Sequence, residues 1–265
     1  MNSLVLGVII FLIAVLMTMT GRGGGNFYVL AIVLSGVSMH ESAATGQFIL
    51  FVSSISATLI FGRDRMVEWR LVIAIGLLTA LSAFFGGYVS DYVSGKMLKF
   101  IFSFFLLIAA FLMLRTVDEK QEDEITKKPG HWYLKSGDHE YSINLGIAVP
   151  VILFTGFGAG MVGVSGGSFL VPLMVLACRV PMKIAVGTST TMVAGTALMG
   201  FAGHALSGHF VPGSAVPLAV AAAVGGIIGG SVALKTKSAV LKKLFAYTTM
   251  AASLIMVLNA VLTNP

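Results

Sequence analysis

Charge is scarce in this chain of 265 residues, because Asp, Glu, Lys and Arg together make up only 11% of it. Ordinary soluble domains carry about 25% charged residues, so this chain lacks the polar side chains that a water-exposed surface needs. The shortage excludes a soluble enzyme, a nucleic-acid-binding module and a disordered chain. The single cysteine, Cys178, excludes an intrachain disulfide and a thiolate metal site. No Walker motif is present, so the chain itself does not hydrolyse ATP, and we expect neither a cofactor nor catalytic residues.

Apolar residues dominate instead, with 57% hydrophobic residues, 18 Phe and 31 Gly. Glycine in such numbers is typical of helices that pack closely in lipid. The two longest uncharged stretches, 141–178 and 184–234, exceed a single membrane span of about 20 residues. Division at glycine clusters and at Pro212-Gly213 yields ten apolar segments, near 2–20, 26–39, 43–61, 71–90, 98–114, 143–161, 167–178, 184–206, 212–234 and 240–262. The predicted fold class is therefore an all-α polytopic membrane protein.

The residue pattern repeats on either side of a charged segment in the middle of the chain. Glycines and a threonine of the first half recur 142 or 143 positions later in the second: Gly21 as Gly163, Gly24-Gly25 as Gly166-Gly167, Thr45 as Thr188, and Gly86-Gly87 as Gly229-Gly230. We interpret this pattern as a duplication of five segments. It predicts a first transmembrane repeat at 1–114, a charged linker at 115–142 and a second transmembrane repeat at 143–265.

An odd number of segments in each copy means that the second copy enters the membrane from the opposite side. The distribution of basic residues agrees, because all but two of the 17 Lys and Arg lie in alternate loops, and only Lys96 and Lys99 lie on the other face. The positive-inside rule then places the linker in the cytoplasm and both termini outside the inner membrane. Inverted repeats with a binding site at their interface are a common design of secondary transporters.

Segments 2 and 7 are too short to span the membrane. At about 1.5 Å per residue they reach roughly 20 Å, short of the roughly 30 Å hydrocarbon core. Their glycine turns must lie at depth, where an irregular turn needs surrounding protein or a water-filled cavity. We expect two opposed helix N-termini there to hold a small anion. The residues of this site are Gly24, Gly25 and Asn26 in the first copy and Gly166, Gly167 and Ser168 in the second, with Asn26 and Ser168 as helix caps.

The second copy carries three glycine-rich strings: GFGAG at 156–160, GVSGGSFLVP at 163–172 and AVGTS at 185–189. Together they resemble the signature of the TauE/SafE family, also called the toluene-sulfonate uptake permease family. The weaker first copy, the linker position and the segment count match as well, so the resemblance covers nearly the whole chain. It implies an inner-membrane permease for small sulfur-containing anions such as sulfite, sulfonates or sulfoacetate, often exported. The first copy departs from the pattern, with Arg22-Gly23 in place of Val164-Ser165.

Polar residues near the start of segments 3 and 8 complete the candidate binding site. They are Thr45 and Gln47 in the first copy and Thr188, Ser189 and Thr190 in the second. Hydroxyl and amide groups donate hydrogen bonds to an oxyanion without neutralising its charge, which suits reversible binding. The alternative interpretation is that these residues cap helices and pack between them.

Arg22 is the only charged residue in either glycine loop. At the depth of the equivalent turn an arginine is costly, and it offers bidentate donors to a sulfonate or sulfite. If segment 1 spans the membrane fully, Arg22 is instead a cytoplasmic anchor. On the outer side, His40 and Glu41 could carry a coupled proton, but we interpret them as a solvated loop. His204 and His209 have no cysteine or carboxylate close by in the sequence, so no metal site is expected.

These features together predict a secondary transporter that moves a small sulfur oxyanion, by preference outward, through alternating access. Two other classes stay open. A passive anion channel would use the same site, and an intramembrane serine protease would use Ser165 as nucleophile and His204 as base. The predicted partners are the anion and membrane lipid, with no nucleic acid; proton or sodium coupling and the oligomeric state are left open.

Overall fold

The computed structural model describes residues 3–94, 97, 100–101, 104, 107, 111, 130–136, 139–177 and 180–262. Its helices are α1 Ser3–Thr18, α2 Gly25–Leu34, α3 Met39–Arg63, α4 Trp69–Tyr92, α5 Leu145–Val162, α6 Gly167–Pro172, α7 Met182–Leu206, α8 Pro212–Lys235 and α9 Ser238–Leu262. Helix α4 contains a π-helical turn at Val72–Gly76, and α6 continues into another at Leu173–Ala177. The predicted all-α polytopic fold class is confirmed.

Four of the described helices, α3, α4, α7 and α8, are long and apolar enough to cross a membrane, with 24 or 25 residues each. Large apolar side chains point outward from them: Leu59, Phe85 and Val220 are 70%, 58% and 61% exposed. A soluble protein rarely shows apolar surface of this extent. The outer surface of the helices therefore suits lipid.

Helix bounds recur with the offset that the sequence predicted. Helices α3 and α7 are separated by 143 residues at both their first and their last residues, and so are α4 and α8. The first residues of α2 and α6 are separated by 142. The division into 1–114, 115–142 and 143–265 stays a prediction, because Lys96, Lys99 and residues 112–129 lie outside the described part of the chain.

Glycines bring pairs of helices into backbone contact, as Gly86 and Gly229 show. A Cβ on Gly86 in α4 would overlap the carbonyl oxygen of Phe157 in α5. A Cβ on Gly229 in α8 would overlap the carbonyl oxygen of Val15 in α1. The two contacts are equivalent, since Gly229 follows Gly86 by 143 positions and Phe157 follows Val15 by 142.

A β-hairpin precedes α5, which the sequence analysis did not predict. Strand β1, His131–Ser136, pairs in antiparallel fashion with β2, His139–Asn144, with His131 opposite Asn144. Trp132 and the fully buried Ile143 pack against the apolar cluster that includes Met174. Aromatic and β-branched residues favour a pleated, half-buried surface, so these side chains stabilise a strand pair where charge density suggested only a linker.

Candidate functional site

Helices α2 and α6 are half-helices whose N-termini meet inside the protein. Helix α2 has 10 residues and is about 15 Å long, half of the roughly 30 Å hydrocarbon core. A Cβ on Gly25, its first residue, would lie 2.9 Å from the backbone nitrogen of Ser165. A Cβ on Gly167, the first residue of α6, would lie 2.7 Å from the carbonyl oxygen of Gly21. The two glycine turns, 21–25 and 163–167, therefore lie against each other.

Each glycine turn also packs against the long helix of the other half of the chain. Gly21 and Gly163 have φ angles of 78° and 79°, in the left-handed region that glycine adopts without steric cost. A Cβ on Gly21 would lie 2.8 Å from Cα of Val186 in α7, and one on Gly163 would lie 2.5 Å from Cβ of Ala43 in α3. Any larger residue at either glycine would separate the turn from its supporting helix.

Two buried polar side chains tie these turn regions to the opposite half. The Ser189 hydroxyl donates to the carbonyl oxygen of Gly21 at 2.8 Å. The Gln47 amide nitrogen donates to the carbonyl oxygens of Ala159 at 3.0 Å and Val164 at 3.4 Å. Both side chains are fully buried. Among the described residues, Gln47 Oε1 has no hydrogen-bond partner, so one acceptor remains beside the second turn.

The predicted helix caps are wrong. The cap positions belong to Gly24 and Gly166, neither of which has a side chain to cap with. Asn26 is the second residue of α2, and its Oδ1 accepts a hydrogen bond from the Ser165 backbone nitrogen across the turn contact at 3.3 Å. Ser165 Oγ in turn accepts from the Gly167 backbone nitrogen at 3.1 Å. Ser168 is the second residue of α6, and its side chain lies outside the described part of the structure.

Arg22 is buried in the first glycine turn, with 1% of its surface exposed. Its Nη1 donates to the Thr248 hydroxyl in α9 at 3.2 Å. Its Cα lies 3.0 Å from the position that a Cβ on Gly167 would take. The alternative of a cytoplasmic surface anchor is therefore wrong, since Arg22 lies inside the protein next to the second turn.

Two hydroxyls near this turn were missed by the sequence analysis. Thr18 ends α1 and Ser54 faces the turn from α3, where a Cβ on Gly23 would collide with Ser54 Oγ. Both hydroxyls are buried and have no partner among the described residues. The available signal was their position as polar residues in otherwise apolar helices, with Thr18 four positions before Arg22.

The threonines at the start of α7 have structural contacts. Thr188 Oγ1 accepts a hydrogen bond from the Glu68 backbone nitrogen, just before α4, at 2.9 Å. Thr190 Oγ1 donates to the Val186 carbonyl oxygen of its own helix at 2.8 Å. Thr45, equivalent to Thr188, is buried in α3. The contacts of Thr188 and Thr190 favour the alternative in which these residues cap helices and pack between them. Ser189 and Gln47 differ, because their side chains donate to the turn regions of the opposite half.

Ser165 and His204 do not form a nucleophile and base pair. The Nε2 of His204 lies 2.9 Å from the carbonyl oxygen of Gly160, and its Nδ1 lies 3.2 Å from the Ser90 hydroxyl. Both ring nitrogens are therefore engaged away from Ser165. A serine protease needs the base within hydrogen-bond reach of the nucleophile, so the geometry contradicts the protease alternative.

His40 and His209 also lie differently from expectation. His40 and Glu41 are in the first turn of α3, where Ser38 Oγ accepts from the Glu41 backbone nitrogen at 3.3 Å. The solvated-loop interpretation of this pair is wrong, because the chain is already helical there. The expectation that His209 lacks a carboxylate neighbour is also wrong, since its Nε2 lies 2.5 Å from Asp91 Oδ1. These two residues are 118 positions apart, which conceals the contact in the sequence.

Apolar spans and two half-helices that meet beside a buried arginine are consistent with a membrane transporter, and the comparisons with known proteins show that class. The chain belongs to the sulfite exporter TauE/SafE family, whose family model matches residues 6–256. A probable membrane transporter protein of Methanocaldococcus jannaschii is 25% identical over 199 residues, covering 72% of this chain and 67% of the relative. Probable membrane transporter proteins of Bacillus subtilis are also similar: YunE, 23% identical over 83% of this chain and 85% of its own length, and YdhB, 20% identical over 94% and 97%. No solved structure matches this chain.

Proposed function

We propose that this transporter moves small sulfur-containing oxyanions, such as sulfite or organosulfonates, outward across the inner membrane by alternating access. The family's description as sulfite exporters supports the substrate class. The proposed binding site lies at the contact between the two glycine turns. Its members are Arg22, Gly24, Gly25, Asn26, Thr45 and Gln47 from the first half and Gly166, Gly167, Ser168, Thr188, Ser189 and Thr190 from the second.

The burial of Arg22 carries this proposal. A guanidinium group at membrane depth is costly, and such residues are by default associated with substrate or ion pathways. Its planar fork of donors matches two oxygens of a sulfonate or sulfite. The buried hydroxyls of Thr18 and Ser54 add neutral donors near the same turn. An oxyanion bound beside this turn would contact the buried guanidinium directly.

The contact between the turns favours a carrier over a passive channel. Gly25 abuts Ser165, and Gly167 abuts Gly21 and Arg22, so backbone from both halves closes the space between the half-helices. An anion held between them reaches either side when one half moves against the other. We propose that the linker is cytoplasmic and both termini are outside. Whatever the orientation of the protein, a potential of 100 mV, negative inside, drives each anionic charge outward by about 2.3 kcal/mol, whereas import needs a proton or sodium gradient.

Counterflow in proteoliposomes tests the carrier and its substrate together. Vesicles loaded with unlabelled sulfite should accumulate labelled sulfite from outside, and sulfoacetate and taurine should be compared with sulfate and chloride as competitors. Vesicles with wild-type protein should accumulate labelled sulfite, and at least one of the sulfur oxyanions added as competitors should inhibit this accumulation. A channel would equilibrate the label without accumulation.

Substitution of Arg22 tests the site. Arg22→Gln should abolish counterflow, and Arg22→Lys should retain part of it, because lysine keeps the charge without the bidentate fork. The matched control is Arg63→Gln, which removes an exposed arginine at the end of α3 and should leave transport unchanged. Normal counterflow in a folded Arg22→Gln protein would refute the proposed site.

A further inference from the structure

We propose that His40, Asp91 and His209 form a binding site for one divalent transition-metal ion of the zinc type. The three residues come from the start of α3, the end of α4 and the loop between α7 and α8. They share no residue with the proposed anion site. The inference rests on their mutual geometry and on the chemistry of their ligand atoms.

The three ligand atoms converge on one point. All of them, one imidazole nitrogen from each histidine and one carboxylate oxygen, lie within 4.8 Å of one another. Asp91 Oδ1 lies 2.5 Å from His209 Nε2 and 4.0 Å from His40 Nδ1. The two imidazole rings stack, with centroids 5.2 Å apart and an interplanar angle of 24°. The carboxylate therefore sits beside two rings whose nitrogens face the same side.

These spacings bracket the geometry of a tetrahedral site. Metal–ligand bonds of about 2.0–2.2 Å to imidazole nitrogen and carboxylate oxygen imply ligand–ligand separations of about 3.4 Å. The observed separations between the ligand atoms, from 2.5 Å to at most 4.8 Å, fall on both sides of that value. Shifts of about 1 Å in the positions of these atoms would therefore let all three contact one metal ion.

His40 supplies an independent sign of a ligand. Its Nδ1 is buried and has no hydrogen-bond partner among the described residues, although it faces Asp91 Oδ1 at 4.0 Å. A buried polar atom without a partner is costly, and a metal ion between His40, Asp91 and His209 would satisfy it.

The donor set selects the class of ion. Two imidazoles and one carboxylate suit zinc, cobalt, nickel or copper, whereas calcium and magnesium prefer oxygen ligands. Asp91 is 37% exposed at its side chain, and the histidines are 26% and 29% exposed. Solvent can therefore occupy a fourth position, and the ion can exchange with the medium.

The site would join the two halves of the chain. His40 and Asp91 belong to α3 and α4 of the first half, and His209 follows α7 of the second. A metal ion bound to all three would resist separation of these elements. Metal binding does not depend on the transport proposal, but its predicted consequence does: if the halves rock, an occupied site slows transport.

Metal titration of the full chain in detergent tests the site directly. The protein is stripped with EDTA after removal of any affinity tag, and then titrated with ZnCl₂ by calorimetry and with CoCl₂ by visible absorption. We expect one ion per chain and the intense cobalt bands of a tetrahedral site. His40→Gln, His209→Gln and Asp91→Asn should each weaken binding by at least about 100-fold, beyond the 10- to 100-fold typical of losing an outer-shell partner.

The matched control is His131→Gln, which removes a histidine of the β-hairpin and should bind zinc like wild type. Thermal unfolding without metal shows that each variant is folded, and addition of ZnCl₂ should raise the unfolding temperature of wild type and His131→Gln alone. Unchanged zinc affinity in folded His40→Gln or His209→Gln, or absence of binding by wild type, would overturn the proposal. Zinc binding without slower sulfite counterflow would retain the metal site and count against rocking of the two halves.

Discussion

Replacement of Gly160 by alanine should destabilise the protein strongly, although it adds only one methyl group. Gly160 in α5 faces the backbone of Ala83 in α4. A Cβ at this position would overlap the Ala83 carbonyl oxygen and lie 2.6 Å from its carbonyl carbon and 2.7 Å from its Cα. Carbon atoms pack best at about 3.5–4.0 Å, so the two helices must separate locally by about 1 Å.

The magnitude follows from what the methyl group meets. Overpacking costs about 1–3 kcal/mol, and the upper end applies because all three obstructing atoms are backbone and cannot rotate away. Alanine recovers about 0.5–1 kcal/mol over glycine inside a helix. Gly160→Ala should therefore lower the free energy of unfolding by about 2 kcal/mol.

Equilibrium unfolding by SDS in mixed micelles, followed by circular dichroism, measures this change. The control is Gly195→Ala in α7, where nothing lies within 4 Å of an added Cβ, so stability should be unchanged or slightly raised. Gly86→Ala strains the same α4–α5 contact, because its Cβ would lie 2.8 Å from the Phe157 carbonyl carbon. The double variant Gly86→Ala/Gly160→Ala should cost less than the sum, since one separation relieves both clashes. Equal stability of Gly160→Ala and Gly195→Ala would refute the reasoning.

Three further outcomes test the turns. Gly167→Ala should reduce sulfite counterflow at least 10-fold in correctly folded protein, because the new Cβ would lie 2.7 Å from the Gly21 carbonyl oxygen; wild-type counterflow would contradict the tight contact. Ser189→Ala should lower the free energy of unfolding by about 1–3 kcal/mol, because it removes the donor to that buried carbonyl, and SDS unfolding of the variant should reveal no loss if the bond is unimportant. Arg22→Cys, in a background where Cys178 is serine, should resist a membrane-impermeant maleimide added to either face, and rapid labelling would show that the first turn is accessible.

Much of the fold could be predicted because it depends on local composition. Uncharged length predicts spans, and the lengths of segments 2 and 7 predicted half-helices, as α2 and α6 are. The equivalent offsets of 142 and 143 predicted which helices would match. The predicted helix bounds were less accurate, since α2 ends at Leu34 rather than at 39 and α3 begins at Met39 rather than at 43. Gly36, with a φ of 99°, follows the end of α2, and the Ser38 side chain caps the start of α3.

The candidate site could be predicted only in outline. Glycine turns are visible in the sequence, because glycine marks unusual backbone angles and close approach. The direction of a side chain is not, so Asn26 was expected to cap its own helix and instead accepts a hydrogen bond from Ser165 in the other turn. Thr188 at the anion stays a prediction, and its hydroxyl oxygen also accepts a hydrogen bond from the Glu68 backbone nitrogen, which no sequence pattern indicated.

By itself, the sequence determined the membrane environment, the half-helices and the offset between matching helices, because hydropathy, length and glycine spacing act along the chain. Tertiary structure alone decided that Arg22 is buried, that a hairpin packs on the apolar core, and that Asp91 lies beside His40 and His209. Each of these contacts joins residues separated by tens to hundreds of positions. Their formation depends on how the helices approach one another. Backbone contacts at glycines control this approach, and no local sequence pattern indicates it.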